Sequence, residues 1–342
     1  MGKKLSNDER FELAKRNTLE IIGEDELREL IKSKGRPVVY LGTAPTGRPH
    51  LGYMIWLLKL ADLLRAGFKV KVLLADLHAL LDGVSWEELD GRYNYYAAVI
   101  PEVIKAMGVD VKGMEFVKGS SFELSGKYME DLLRMSTNVS VRDATKAASE
   151  VVKLGDNPKL SGLIYPLMQA LDEEYLKVDM QLGGGDQRKI FVMAREQNPK
   201  IGYKPRIEMM TPLLPGLIGK KMSASDVGSK IDFLDDEKTV IKKMNKAYCL
   251  EGDVDNGVMS FMKNILMVIM GDNGARFKVE RPDKFGGNVS YADYEELEKD
   301  FVAKKLHPMD LKNAVAREIN LLFGKMDTKK LKKLSGKGYG DG

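Results

Sequence analysis

The sequence has one cysteine, Cys249, in 342 residues. It cannot form an internal disulfide, and a cysteine-built zinc site is excluded. Three histidines leave little material for another metal cluster, so no protein metal site is expected. No apolar run reaches the roughly 18 residues of a membrane span, and the polar, charged N-terminus does not read as a secretory signal. A membrane partner is not expected, and a reducing, intracellular setting is. An excess of one charge is also lacking. Lysine and arginine number 54 against 50 acidic residues, a net charge of +4. That is too small for a bulk field to announce a nucleic-acid partner, and nothing favours DNA. Internal repeats are absent.

What remains is an ordinary folding composition, 44% apolar and 30% charged, in a chain long enough for about two domains. Residues 8–34 read as helices. RPVVYLG at 36–42 reads as a strand ending at Gly42, followed by the loop TAPTGRPHLG and an apolar helix. Residues 68–75 alternate and then turn wholly apolar, as a strand entering a buried parallel sheet does. A helix is expected over 86–107 and strands over 111–117, 180–184 and 206–214. This order predicts an open α/β sheet. Residues 125–153 and 160–177 read as helices. Beyond 228 helical segments dominate (235–248, 257–270, 291–305, 308–324), which predicts a second, mostly helical unit. The lysine-rich end, 325–342, reads as a solvated tail.

Two loops carry phosphate-suited chemistry. In TAPTGRPHLG, between strand and helix, Gly47 and Gly52 allow close approach of a phosphate. Pro45 and Pro49 restrict the backbone, and the helix N-terminus favours an anion. His50 can donate to a phosphate oxygen. The loop is neither GxxxxGK[ST] nor GxGxxG, and an ordinary loop with a capping histidine reads equally from spacing alone. In GKKMSAS at 219–225, Lys220 and Lys221 can track triphosphate charge while serine hydroxyls add hydrogen bonds. A solvated turn is the plain alternative.

A third set lies on one helix. Tyr165, Gln169, Asp172 and Leu176 are spaced by four, three and four, and so share a face. Polar groups on an apolar face need partners, and a bound polar ligand supplies them. Gln187, after the glycine run ending at Gly184, and Tyr40, in the first long strand, join the same crevice. Asp76 and His78 follow another strand and border it. Singly, each has a plainer reading: a core aromatic, a backbone-satisfying amide, a solvated acid beside Glu173 and Glu174, a cap.

Together these stretches resemble a class I aminoacyl-tRNA synthetase, and most closely the tyrosyl-tRNA synthetases of the archaeal and eukaryotic type. TGRPHLGY at 46–53 is similar to the first signature, with Tyr53 where a second histidine normally stands. GKKMSAS resembles the KMSKS signature, with Ala224 replacing its second lysine. A KMSAS ending also occurs in tryptophanyl enzymes. VLLADLHALLD, SGLIYPLMQALDEEYLKVDMQLGGGDQRKIF and LHPMDLKNAV resemble the tyrosyl family in order and spacing.

The resemblance implies a Rossmann-like catalytic domain at 36–228, preceded by a helical segment at 1–35. A helical connective insertion at about 119–160 would form a homodimer. A helical anticodon-binding domain at 229–324 and a basic tail at 325–342 would follow. It implies ATP-dependent attachment of L-tyrosine to tRNA(Tyr) through an adenylate, in the cytoplasm, with magnesium carried by ATP. Tyr40, Asp76 and Asp172 would bind the tyrosine, Tyr40 and Asp172 at its phenol. Tyr165, Gln169 and Gln187 would hold the ammonium end. Gly42, Thr43, Gly47, His50, Gly52, Gly184, Lys220, Lys221 and Met222, with Ser223 and Ser225, would serve ATP and the chemical step. Phe285, His307 and Asp310 would meet the anticodon, although a turn aromatic and helix caps are their plainer readings. Tryptophan activation, or RNA binding without catalysis, are the alternative functions.

Overall fold

The structure, a computed structural model, describes residues 5–217 and 230–340. Strands are β1 (Glu20–Ile22), β2 (Val38–Thr43), β3 (Lys69–Leu74), β4 (Met114–Lys118), β5 (Met180–Gly184), β6 (Ile207–Thr211), β7 (Phe277–Val279) and β8 (Val289–Tyr291). The first six form one sheet in the order β1-β6-β5-β2-β3-β4, and β7 pairs with β8. Every pairing in the large sheet is parallel except β1 with β6. A Rossmann-like parallel sheet is therefore present. The antiparallel edge strand β1 falls inside the segment expected to be helical. Three residues without alternation carry too little pattern to be read as a strand.

The central strands are apolar because both faces are covered. β3 is buried from Val72 to Leu74, and all but the last residue of β5 is buried. The helix Met54–Arg65 lies against this sheet and buries Lys59 and Asp62 as well as Leu57, Leu58, Leu60 and Leu63. The Lys59 ammonium donates to the backbone carbonyls of Ala14 and Arg16, and Asp62 accepts from the Arg16 guanidinium. Arg16 and Arg65 also pair with Asp272. Buried charge is tolerated here because it is paired and hydrogen-bonded.

Strand order reverses between β2 and β5. Chain connections leave to opposite sides there and open a crevice at the carboxyl ends. Helices Gly126–Ser136, Val141–Ala148 and Leu160–Tyr175 build a separate apolar cluster beside it, around Tyr128, Leu132, Tyr165 and Leu171. Beyond residue 236, helices Glu237–Lys246, Gly257–Phe261, Met267–Asp272, Tyr294–Val302 and Pro308–Phe323 surround the small β7–β8 hairpin, with a π-helical stretch at Met262–Leu266.

The basic end differs from the expected solvated tail. Thr328–Tyr339 is a helix capped by Asp327, and it packs on the helix Trp86–Ala106 with Leu331, Ser335 and Gly338 buried. Glycine permits the contact. A Cβ on Gly91 would lie 2.5 Å from the Lys337 carbonyl oxygen, and one on Gly338 would lie 2.8 Å from the Arg92 nitrogen. The lysine count concealed an apolar stripe at Leu331 and Leu334 with glycine at the crossing.

Candidate active site

The crevice at the strand reversal is a cavity of about 1260 Å³. Its walls come from the ends of β2, β3, β5 and β6, the loop 43–53 and the helix Leu160–Tyr175. Tyr40, Gly42, Thr43, Gly47, His50, Gly52, Tyr165, Gln169, Asp172, Gly184 and Gln187 all line it. Asp76 is not among the lining residues. Its carboxylate turns to the chain after β4, accepting from the Ser120 N–H at 2.8 Å and the Ser120 hydroxyl at 2.6 Å. It braces the turn Gly119–Ser121 from the start of the helix Asp76–Leu81. Lys220, Lys221, Met222, Ser223 and Ser225 lie outside the described residues.

At one end of the cavity the loop 43–53 is held by hydrogen bonds to its backbone. The Gly47 carbonyl accepts from the Tyr96 hydroxyl at 2.6 Å and from the Tyr339 hydroxyl at 3.0 Å. Arg92 donates to the Pro45 and Thr46 carbonyls and to Gly338, with its guanidinium 4.7 Å above the Tyr339 ring. The Leu51 N–H donates to the Ile231 carbonyl at 2.7 Å, and Arg48 pairs with Asp232 at 3.1 Å. His50 caps the short 3-10 turn Leu51–Tyr53, its Nδ1 accepting from the Gly52 N–H at 3.1 Å. The capping reading and cavity lining therefore coexist. Burial, then Lys230, pushes its pKa down to about 4. The imidazole is neutral near pH 7, and with Nδ1 accepting, the proton sits on Nε2 as a donor. Tyr53 places its hydroxyl 3.1 Å from that of Tyr96 and its ring 4.9 Å from His50.

At the other end, Tyr40 and Asp172 are both buried. The Tyr40 hydroxyl donates to the Gln169 carbonyl at 3.3 Å, a long contact. Asp172 Oδ1 accepts from the Tyr128 hydroxyl at 2.8 Å, while Oδ2 has no hydrogen-bond partner. Burial raises the pKa of both groups, and for Tyr40 the nearby Asp172 adds to it. Between the two ends, the Gln169 amide donates to the Gln187 side-chain oxygen at 3.0 Å. A Cβ on Gly183 would lie 2.6 Å from the Phe191 ring and 2.9 Å from Gln187 Cγ, so the glycine run lets Gln187 fold over the strand end.

Tyr128, Tyr96, Tyr339 and Arg92 were not singled out from the sequence. Each acts across more than 30 residues of chain on a partner that no local spacing reveals.

A family model described as tRNA synthetases class I (W and Y) matches residues 32–324. The chain belongs to the tyrosyl-tRNA synthetases of the archaeal and eukaryotic type. It is 47% identical over 346 residues to the cytoplasmic tyrosine–tRNA ligase of Danio rerio, covering 99% of this chain and 64% of that one. The chain thus spans just under two thirds of that relative. Among solved structures, the tyrosyl-tRNA synthetase of Archaeoglobus fulgidus complexed with L-tyrosine superposes with a TM-score of 0.87 at 40% identity. The match covers 95% of this chain and 99% of that one. A tryptophanyl-tRNA synthetase from Aeropyrum pernix shares the fold alone, at 18% identity and a TM-score of 0.68 over 98% of this chain and 89% of that one.

The anticodon residues expected of a tyrosyl-tRNA synthetase stand apart from this cavity. Phe285 is 59% exposed, with the Lys284 ammonium 4.9 Å from its ring. Its turn is fastened by Arg281, which donates to the Gly287 carbonyl at 2.6 Å and the Lys305 carbonyl at 2.8 Å. That brings the turn beside His307, which caps the helix Pro308–Phe323 through its Nδ1, with Asp310 in the first turn. Arg281 organises this surface and was not anticipated.

Proposed function

We propose that this chain activates L-tyrosine with ATP and transfers it to the terminal ribose of tRNA(Tyr), in the cytoplasm, as the names of its relatives suggest. The observation that carries the amino acid is the wall formed by Tyr40 and Asp172. A phenol both donates and accepts, so it can satisfy the unpartnered Asp172 Oδ2 and accept from Tyr40. An indole N–H only donates, so tryptophan would leave Tyr40 without that partner. Phenylalanine would leave Asp172 Oδ2 without the phenol's hydrogen bond and Tyr40 with only its long Gln169 contact in a buried site, which supports discrimination of about 10⁴–10⁵ without editing.

Catalysis in this reading is positioning and charge stabilisation. Tyr165, Gln169 and Gln187 hold the ammonium group, which aims the carboxylate at the α-phosphorus of ATP. The loop 43–53 presents backbone N–H groups and the His50 Nε2–H to the phosphates. Gly42, Gly47, Gly52 and Gly184 leave room for the nucleotide. Pyrophosphate leaves, and the ribose hydroxyl of tRNA then attacks the activated carbonyl and releases AMP. Lys220, Lys221, Met222, Ser223 and Ser225 complete the phosphate contacts by family role. Magnesium would travel with ATP, held by phosphates and water. Among the described residues, the one cluster with metal-ligand spacing, His78, Glu123 and Asp172, is buried at the phenol end.

We assign the catalytic unit to residues 36–228 and the anticodon-binding unit to 229–324. Residues about 119–160 supply a homodimer contact, supported by exposed Met129 and Leu133, which share one face of the helix Gly126–Ser136. ATP–pyrophosphate exchange against a panel of amino acids tests the activity. Tyrosine-dependent exchange is expected, and exchange driven by tryptophan or by no amino acid would overturn the reading.

A further inference from the structure

Behind the phenol end, His78, Glu123 and Asp172 are all buried, with ligand atoms within 4.8 Å of one another. His78 follows β3, Glu123 follows β4, and Asp172 comes from the helix Leu160–Tyr175. His78 Nδ1 lies 3.6 Å from Glu123 Oε1, and Nε2 lies 3.9 Å from Asp172 Oδ2. Both imidazole nitrogens, both Glu123 oxygens and Asp172 Oδ2 lack a hydrogen bond of normal geometry. Five such atoms at one buried spot require an explanation. Both gaps lie within about 1 Å of a hydrogen bond.

Two carboxylates meet here, and among the described residues no lysine or arginine lies within 4.0 Å of either. Both cannot ionise in such a place. Glu123 faces no hydrogen-bond donor, so burial, then the negative charge of Asp172 and after it Asp76, holds it protonated. Asp172 receives the Tyr128 hydroxyl, whose single O–H is shared with the Met168 carbonyl. Glu173 also bears on Asp172. Around His78, the Tyr165 ring stacks edge-on at 4.5 Å, and the Tyr165 backbone carbonyl is a competing acceptor.

We propose that His78 is a positioning residue for substrate selection: its Nδ1 accepts a hydrogen bond from the protonated Glu123 carboxyl, and its Nε2–H is thereby committed to Asp172 Oδ2. The relay fixes the imidazole tautomer and turns the Asp172 carboxylate to meet the substrate hydroxyl. This rests on the tyrosine reading above.

The chain has three histidines, so NMR of isotope-labelled imidazole nitrogens, assigned by loss of one signal in His78→Phe, reads the tautomer in the full-length protein. A protonated Nε2 and a bare Nδ1 are expected. Steady-state exchange then reads the consequence. Glu123→Ala is expected to raise the KM for tyrosine about tenfold, with kcat and the KM for ATP within about twofold. Glu123→Gln, whose amide donates in place of the carboxyl, should restore the tyrosine KM to within about threefold. A proton on Nδ1 would overturn the proposal, and so would an unchanged tyrosine KM in Glu123→Ala. If the unmodified protein fails to activate tyrosine, the functional reading falls instead, before any variant is made.

Discussion

Tyr40 and Asp172 arrive at the cavity from different elements, a strand and a helix, and each has one polar atom suited to a phenol. Removing the Tyr40 hydroxyl should therefore change preference more than rate. Tyr40→Phe is expected to lower the tyrosine-to-phenylalanine ratio in kcat/KM by about 10–100-fold, measured by exchange with both amino acids. Two histidines carry a second consequence. Burial pushes His50 and His78 down to about 4, whereas in the unfolded chain they titrate near 6.5. Between those values the unfolded state takes up protons that the native state refuses. Stability contributed by their neutral forms is complete above about pH 7 and is lost as pH falls toward about 4. Thermal melts across that window should show a shallower acid-side fall for His78→Gln than for the unmodified chain. Parallel curves would remove His78 from this account.

At the scale of elements, the helix Thr328–Tyr339 and the helix Trp86–Ala106 touch through Gly91 and Gly338, where backbone meets backbone and neither side can give way. Gly91→Val is expected to destabilise by about 1–3 kcal/mol, or to lift the last helix off its seat. Thermal denaturation together with limited proteolysis near residue 327 distinguishes those outcomes. The long parallel strands and apolar helices were legible because their periods are sustained: Lys69–Leu74 and Met54–Arg65 bury what their patterns said they would. The edge strand Glu20–Ile22 and the β7–β8 hairpin were not, being three-residue strands. The Tyr165–Gln169–Asp172 face and Gln187 were legible as a set because helix spacing is local. Tyr128 and Glu123, which lie behind the same wall, were hidden because they meet Asp172 and His78 from far along the chain, where no local spacing reveals the partner. The bond from Ser120 to Asp76 was not legible, because the two stand 44 residues apart.

Across the whole molecule, the turn at Phe285 and the cavity are separate, and under the proposed function their defects should separate too. Phe285→Ala is expected to reduce tRNA(Tyr) charging about tenfold or more while leaving ATP–pyrophosphate exchange within about twofold, since base stacking is worth about 1–3 kcal/mol. Equal loss in both assays would mean that the turn acts on the fold instead. Leu133→Asp should shift a dimer toward monomer in sedimentation velocity by placing a charge in an apolar contact. The hydrogen bond from Tyr339 to the Gly47 carbonyl joins residues 292 positions apart. During synthesis the parallel sheet can close well before residue 339 leaves the ribosome, yet the loop 43–53 does not gain its Tyr339 anchor until then. A nascent chain released before residue 339 would carry the Tyr40–Asp172 wall already formed while the loop 43–53 was still one tether short.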